Sequence, residues 1–297
     1  MDLTRLRVFA AVARHGSVTG AAEALHYAQP SISHHLARLE AEVGTPLIQR
    51  AGRGVRLTQA GRLLALRAEE ILGRVDSIQT ELAAHAGLRA GRVRLAAFPS
   101  ALATLVPPAA ARLAVDAPEL ELALVEAEPP ESLAALRNGD VDVALAFEHD
   151  TPATPAPAIT STVLLEEPLY VVTPLHRTWE GRRSALATYA DERWIAGCER
   201  CRAHLLASCA EAGFTPTIEF ETDDYVAAQA LVAAGVGVTT LPGLALLASR
   251  NDDVRIDPIP GDHRRVIAVT YGTPHARPVQ AFLDILMATL TPPDWPA

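Results

Sequence analysis

The sequence predicts an α+β multidomain protein in three parts: a small helical head carrying a two-stranded wing, a long linker helix, and a larger α/β body. Three observations carry this prediction. Between Gly16 and Arg56, two short helical patterns flank a tight turn and run into a glycine-bearing pair of strand patterns. From Thr58 to about His85 one helical pattern continues without a break. Beyond Arg92, strand and helix patterns alternate, as repeated βα units do.

The head begins with a helix from about Leu3 to Arg14, in which Leu3, Leu6, Phe9, Ala10 and Ala13 share one face. His15-Gly16 stops it, and Ser17 is a suitable N-cap for a second helix over Val18 to Leu25. That helix carries Ala21, Ala22 and Ala24, so a neighbour can approach closely. His26-Tyr27-Ala28 makes the turn. Gln29 then precedes Pro30, which suits a first helical turn because its missing N–H would be unpaired there in any case. The third helix, about Pro30 to Val43, buries Ile32, Leu36 and Leu39 and exposes Ser31, Ser33, His34 and Arg38. Gly44 ends it, and the segment 44–58 reads as two strands with a turn at Ala51–Gly54. Two packed helices with polar side chains at the start of the second are what reading a DNA major groove requires.

Charge supports that reading. The whole chain of 297 residues has a formal charge of −9, with every one of its 26 basic residues an arginine. Residues 1–65 hold eight arginines against four acids, +4, whereas from Arg92 onward fifteen arginines face twenty-seven acids, −12. A basic head on an acidic body fits a polyanion-binding module joined to something that DNA repels. No apolar run approaches the ~20 residues of a membrane span, and the N-terminus mixes charges among its apolar residues, unlike a signal peptide. A cytoplasmic protein is expected.

Along the linker, Leu64, Ala68, Ile71, Val75, Ile78 and Leu82 alternate spacings of four and three, a heptad seam. A helix this long with an apolar stripe needs a partner. The stripe could pack on the chain's own C-terminal part; a dimer is favoured, because it presents two heads to a two-fold DNA site. Segment 86–92 breaks the helix.

The body follows in order: strand 93–98, helix from Ala103 to Val115, strand 120–126, helix 132–139 and strand 141–147. After the proline-rich stretch 151–158 come strands at 169–173, 194–196, 217–221 and 236–242. Helices fall between them at Ser184–Ala190, Cys201–Ala212, Tyr225–Ala234 and Leu244–Ser249. Strand 265–271 and a helix from Arg277 to Thr289 close the chain. Largely parallel sheets with helices on both faces are expected.

The head resembles the LysR-type transcriptional regulators. It shares their small-residue second helix, the Gln29-Pro30 opening of the recognition helix, and Arg38-Leu39-Glu40 followed by Gly44-x-Pro46-Leu47. The resemblance implies a winged helix-turn-helix over residues 1–57 and a dimerisation helix over 58–88. It also implies a two-lobed effector domain over 91–297, like a type 2 periplasmic binding protein, with lobes at 92–162 plus 267–297 and at 163–266. In such proteins the start of the third helix reads bases and the wing holds phosphates. Carried over, Gln29, Ser31, Ser33 and His34 face base edges, while Arg38, Arg50, Arg53 and Arg56 serve the backbone. Ser17 and Pro30 complete the DNA-contact set. His34-His35 departs from the family, where an arginine followed by a polar residue is common, so base preference does not transfer. The family further implies a small-molecule effector, double-stranded DNA, RNA polymerase, and a homodimer or homotetramer; no cofactor and no metal are expected.

Ligands in such folds sit at carboxyl ends of strands, against helix N-termini. Those places are Phe98, Ser100 and Ala101; Glu128 and Pro129; Phe147 and Glu148; Gly197 and Cys198; and Thr222 and Asp223. Helix-start N–H groups favour a small carboxylate; Glu148 and Asp223, if they line the cleft, favour an amine or amino acid. Simple N-capping is the competing role for Ser100, Thr222 and Asp223.

All three cysteines fall at 198, 201 and 209. Cys198-x-x-Cys201 sits where a strand gives way to a helix, a position that lowers a thiol pKa, with Arg200 and Arg202 adjacent. Reduced structural thiols are the favoured reading, and a redox-sensing regulator is the alternative. His204 completes C-x2-C-x2-H, but on one helix Cys209 lies about 140° round from it, so four zinc ligands do not converge. No G-x-S-x-G, H-E-x-x-H or phosphate-binding Gly-Lys loop is present, and no enzyme is expected.

Overall fold

The computed structural model describes residues 1–51, 54–85, 91–149, 159–178, 185–272, 275–291 and 293–296. Arg53 and the side chains of Arg50 and Leu82 lie outside the described set. The head is built from α1 (Leu3–His15), α2 (Val18–Ala24), α3 (Gln29–Val43), β1 (Ile48–Ala51) and β2 (Gly54–Leu57). Phe9 and Val12 of α1, Ala21 of α2, and Ile32, Leu36 and Leu39 of α3 close one core with Leu47. Asp2 caps α1 by accepting from the Arg5 N–H at 2.9 Å, and Gly16 ends it at φ 61°. The turn before α3 passes through His26 at φ 54°, a left-handed conformation that His tolerates better than branched residues do. The wing is tied down from behind: the Glu40 carboxylate accepts the N–H groups of Leu47 and Ile48, at 2.7 and 3.2 Å.

The linker is α4 (Gln59–His85), capped by the Thr58 hydroxyl accepting from the Gly61 N–H at 3.0 Å. Gly61 has a steric duty, since a Cβ there would lie 2.0 Å from the Leu47 carbonyl oxygen. Ala68 and Leu72 pack on Leu6 and Ala10 of α1, joining the first half of α4 to the head.

The body contains β3 (Arg92–Ala97), α5 (Pro99–Thr104), α6 (Val106–Asp116), β4 (Glu121–Glu126), α7 (Pro129–Arg137), β5 (Val143–His149) and β6 (Ile159–Pro174). There follow a 3-10 turn (Leu186–Tyr189), β7 (Arg193–Ala196), α8 (Glu199–Glu211), β8 (Thr217–Glu221), α9 (Tyr225–Ala233), β9 (Val238–Pro242), α10 (Gly243–Ala248), β10 (Val254–Tyr271) and α11 (Arg277–Thr289). Among the described residues the strands of the body form one eight-stranded sheet, ordered β4-β3-β5-β10-β6-β9-β7-β8. The outer pairs are parallel, as expected, but the central contacts β5–β10, β10–β6 and β6–β9 are antiparallel. Strands β6 and β10 are the departure. They pair from Ile159↔Tyr271 to Pro174↔Val254 and run through both halves of the sheet. Only their apolar parts, 169–173 and 265–271, show strand periodicity. The remainder of β6, residues 159–168, mixes apolar and polar side chains without regular alternation and is mostly exposed or half-buried around the buried Glu167, and β10 is interrupted between Pro258 and His263, where Gly261 takes φ 77°.

Two further expectations are corrected. The helix from Ala103 to Val115 is two helices meeting at Leu105, because Pro107 and Pro108 can only open a new helical turn. The helix expected over 184–190 is the 3-10 turn alone, residue 184 lying outside the described set.

Candidate nucleic-acid interface and effector cleft

On the head, Gln29, Pro30, Ser31, Ser33, His34 and Arg38 are all exposed on α3; Pro30, Ser31, His34 and Arg38 lie away from the buried Ile32, Leu36 and Leu39, with Ser33 on the flank and Gln29 at the edge of that buried stripe. The Ala28 N-cap makes no side-chain hydrogen bond, so the start of α3 is uncovered, with its polar groups facing solvent. Ser17 is half-buried and its hydroxyl is engaged as the cap of α2, accepting from the Gly20 N–H at 2.9 Å. Arg56 is exposed on β2, paired in register with Gln49. The Val55 N–H donates to the Gly16 carbonyl at 2.9 Å, which fixes the wing beside the turn preceding α2.

The heptad seam of the linker is not one continuous surface. Leu64 and Ala68 are covered by α1 within the same chain, Ala68 being 0 % exposed. Ile71 and Ile78, at 38 % and 54 %, are open, and Val75 is half-buried. An α-helix drifts about 20° per heptad against a strict seven-residue repeat, and α1 covers the stripe where it passes the head.

In the body, a cavity of about 60 Å³ opens between the ends of β3, β5, β7 and β8. Phe98, Ser100, Glu128, Phe147, Gly197, Cys198, Thr222 and Asp223 all line it, brought together from five separate stretches of sequence. Three expected residues do not. Ala101 of α5 points into the core and is fully buried there. Pro129 is buried in the first turn of α7. Glu148, one residue past Phe147, lies on the other side of the strand and meets Arg265 at 3.4 Å. N-capping of α9 falls to Asp224, which accepts from Val226 and Ala227, leaving Asp223 at the cavity mouth. A larger hollow of about 470 Å³ lies elsewhere, between α8, the 3-10 turn and β10, bordered by His204 and Asp262.

Six cavity residues were not expected from the sequence: Tyr225, Thr240, Leu241, Pro242, Ala245 and the charged Arg264. Arg264 is 3 % exposed, and its Nε donates to Glu167, 0 % exposed, at 2.7 Å. The other Glu167 oxygen accepts the Leu244 N–H at 2.7 Å, and an Arg264 Nη contacts the Ser100 hydroxyl at 3.4 Å. The guanidinium lies over the Phe147 ring at 4.0 Å and the Phe98 ring at 5.1 Å. A buried cation needs a matched anion and good packing, and both are present. The only sequence signal was an arginine pair at the start of an apolar strand, which also reads as a surface edge.

Glu128 gives the cavity its protonation chemistry. One of its oxygens is buried without a hydrogen-bond partner. Burial, with Cys198 and then Asp223 beside it, pushes the carboxyl up to about 8, so near neutrality it is mostly a neutral acid able to donate. Cys198 and Cys201 stand at the start of α8 with their sulfurs 3.2 Å apart. A hydrogen bond from Cys198 draws the Cys201 thiol below its usual pKa against the cost of burial, with Arg264 assisting. The same contact and burial push Cys198 upward. Gly197 makes room for this pair, since a Cβ there would lie 3.2 Å from that of Cys201. Cys209 is buried in a separate core, where burial raises it to about 11. Nearby, His149 stacks on His204 at 3.9 Å and burial lowers it to about 3, so it stays neutral.

Residues 3–62 match the bacterial regulatory helix-turn-helix proteins of the lysR family, and residues 86–291 match the LysR substrate binding domain. The chain is 33% identical over 269 residues to the probable cat1 operon transcriptional activator of Acinetobacter lwoffii, spanning 88% of this chain and 86% of that protein. It is 30% identical over 279 residues to the DNA-binding transcriptional dual regulator OxyR of Escherichia coli, spanning 91% and 89%. Among solved structures, a full-length OxyR variant from Pseudomonas aeruginosa matches with a TM-score of 0.65 at 23% identity, over 97% and 94% of the two chains. Full-length CbnR complexed with its target DNA matches at 0.54 and 24%, over 97% and 99%.

Proposed function

The chain belongs to the LysR family of DNA-binding transcriptional regulators, with an effector-binding domain, and from that premise we propose how its residues divide the work. Residues 1–57 read DNA, 58–88 pair two chains, and 91–297 sense an effector between lobes at 92–162 plus 267–297 and at 163–266. Gln29, Ser31, Ser33 and His34 meet base edges; Arg38, Arg50, Arg53 and Arg56 hold phosphates. The exposed polar face of α3 is the observation that carries this assignment. Replacing Arg50, Arg53 and Arg56 together by alanine weakens binding to every duplex and flattens its salt dependence. Unchanged affinity and slope would remove the wing from the interface.

The effector occupies the cavity between β3, β5, β7 and β8. A neutral Glu128, the Ser100 hydroxyl and the Arg264 guanidinium offer donors and positive potential suited to a small carboxylate, with Asp223 at the exposed rim. Effector binding closes the lobes and changes the spacing of paired heads, hence DNA bending and the access of RNA polymerase to the promoter. The open linker face at Ile71 and Ile78 supports self-association, as a homodimer or a homotetramer. No helix among the described residues is long and apolar enough to cross a membrane, and we place the site of action in the cytoplasm.

A second reading is favoured by the 3.2 Å approach of the Cys198 and Cys201 sulfurs and by kinship with the hydrogen peroxide-inducible genes activator of Escherichia coli. A hydroperoxide would take two electrons from the pair, giving a Cys198–Cys201 disulfide, water and an alcohol (a second water from hydrogen peroxide). Counting free thiols before and after mild peroxide, with DNA binding measured in each state, decides it. An intact count with unchanged binding sinks the redox reading.

A further inference from the structure

Helix α7 touches two places that sequence distance gives no reason to connect. Its N-cap, Glu128, lines the effector cavity. Its C-cap, Asn138, lies about 15 Å away along the helix axis, against the DNA-reading head. There the Asn138 amide, oriented to satisfy both neighbours, donates to Glu69 Oε1 of α4 and accepts from Arg14 Nη2 of α1, each at 3.2 Å. Beside it the backbones nearly touch: a Cβ on Gly73 of α4 would lie 3.0 Å from the Arg137 carbonyl oxygen and 3.7 Å from the Gly139 nitrogen. Burial raises the pKa of Glu69 in this joint, with Arg14 and Arg137 opposing.

We propose that α7 is the connection through which the cleft acts on the head, with Arg14, Glu69, Gly73 and Asn138 forming its far joint. The inference rests on the reading of the cavity as the sensor and names the route from it. Both bodies flanking the joint are stiff. Pro129, Ser132 and Leu136 bury α7 against the sheet, while Ala68 and Leu72 lock α4 onto Leu6 and Ala10. A movement of the Glu128 end is therefore delivered as displacement at Asn138 rather than absorbed by bending, and shifts of about an ångström or two at such contacts suffice to switch an interface. Gly73 keeps this approach close: even a Cβ there would need the Arg137 carbonyl to give by a few tenths of an ångström, and a branched side chain would press α4 away from the Arg137–Gly139 turn.

The test uses a side chain as the wedge, so it needs no identified effector. Hydrogen exchange is followed in the full-length protein as wild type, Glu128→Arg, Asn138→Asp and the double variant. Asn138→Asp keeps the size of the side chain but sets a carboxylate against Glu69. In the wild-type background the wedge changes exchange in 129–136 and also in 3–15 and 62–73, by about fivefold. In the Asn138→Asp background the change persists in 129–136 and disappears from the head. Head amides that ignore the wedge while 129–136 respond, or that respond equally in both backgrounds, overturn the proposal. Should Glu128→Arg lose the fold, the uncharged but bulkier Glu128→Phe is the wedge, read with the same criteria, and should Asn138→Asp lose it, Gly73→Val takes its place. A cavity that later proves to bind no ligand would leave this result standing, so the two claims fail separately.

Discussion

A guanidinium that is 3 % exposed must bring its counter-charge with it, and Arg264 does so through Glu167. Removing one member of such a pair leaves an uncompensated charge, which costs about 3–5 kcal/mol. Glu167→Ala should lower unfolding stability by that amount in urea titrations of the full chain; a loss below about 1 kcal/mol would mean that water or another group replaces the pairing. Glu128 makes a pH statement. Its folded pKa, about 8, lies above its unfolded value, so its contribution is full at low pH and is lost as pH rises from about 4.5 to about 8. Wild type should therefore lose thermal stability across that window more steeply than Glu128→Gln; parallel melting curves would contradict the buried-acid account. The cleft residues were legible at strand ends because the Phe98, Glu128, Phe147, Gly197 and Thr222 positions all follow from where a β-pattern stops. Arg264 was not, because nothing local distinguishes a buried arginine from one on a sheet edge.

At the scale of elements, the head was readable in detail because most boundaries have a local chemical cause: the Ser17 cap, the Gly16 and Gly44 stops, and the Gln29-Pro30 opening. Gly61 is the exception. Its role appears only when α4 meets the Leu47 carbonyl, a contact between elements. Gly61→Ala should destabilise the head by about 1–3 kcal/mol through overpacking, visible as early loss of helical signal in a melt of the full chain. A neutral result would mean that the wing entry can retreat from α4. The body was legible in element order but not in sheet direction, since residues 159–168 of β6 and 254–264 of β10 carry no regular alternation to reveal that they cross the sheet antiparallel. The proline pair at 107–108 was legible in principle, and splits α5 from α6 for the reason prolines usually open helices.

For the whole molecule, the linker has two faces. One, through Ala68 and Leu72, is used up inside the chain; the other leaves Ile71 and Ile78 open. A pair of charges there, Ile71→Glu with Ile78→Glu, should shift the assembly to monomers in sedimentation while leaving α1–α3 folded; an unchanged oligomer would place the pairing surface elsewhere. Everything downstream of the cleft depends on the open face of α3 reading base sequence on duplex DNA. Selection of duplexes from a random pool by the full-length protein addresses that dependence without an effector, run beside Ser33→Ala and His34→Ala. Wild type should enrich two related half-sites, and each variant should relax the preference at the base pairs its missing side chain would meet. No enrichment by wild type, or identical enrichment by both variants, would refute base reading by α3.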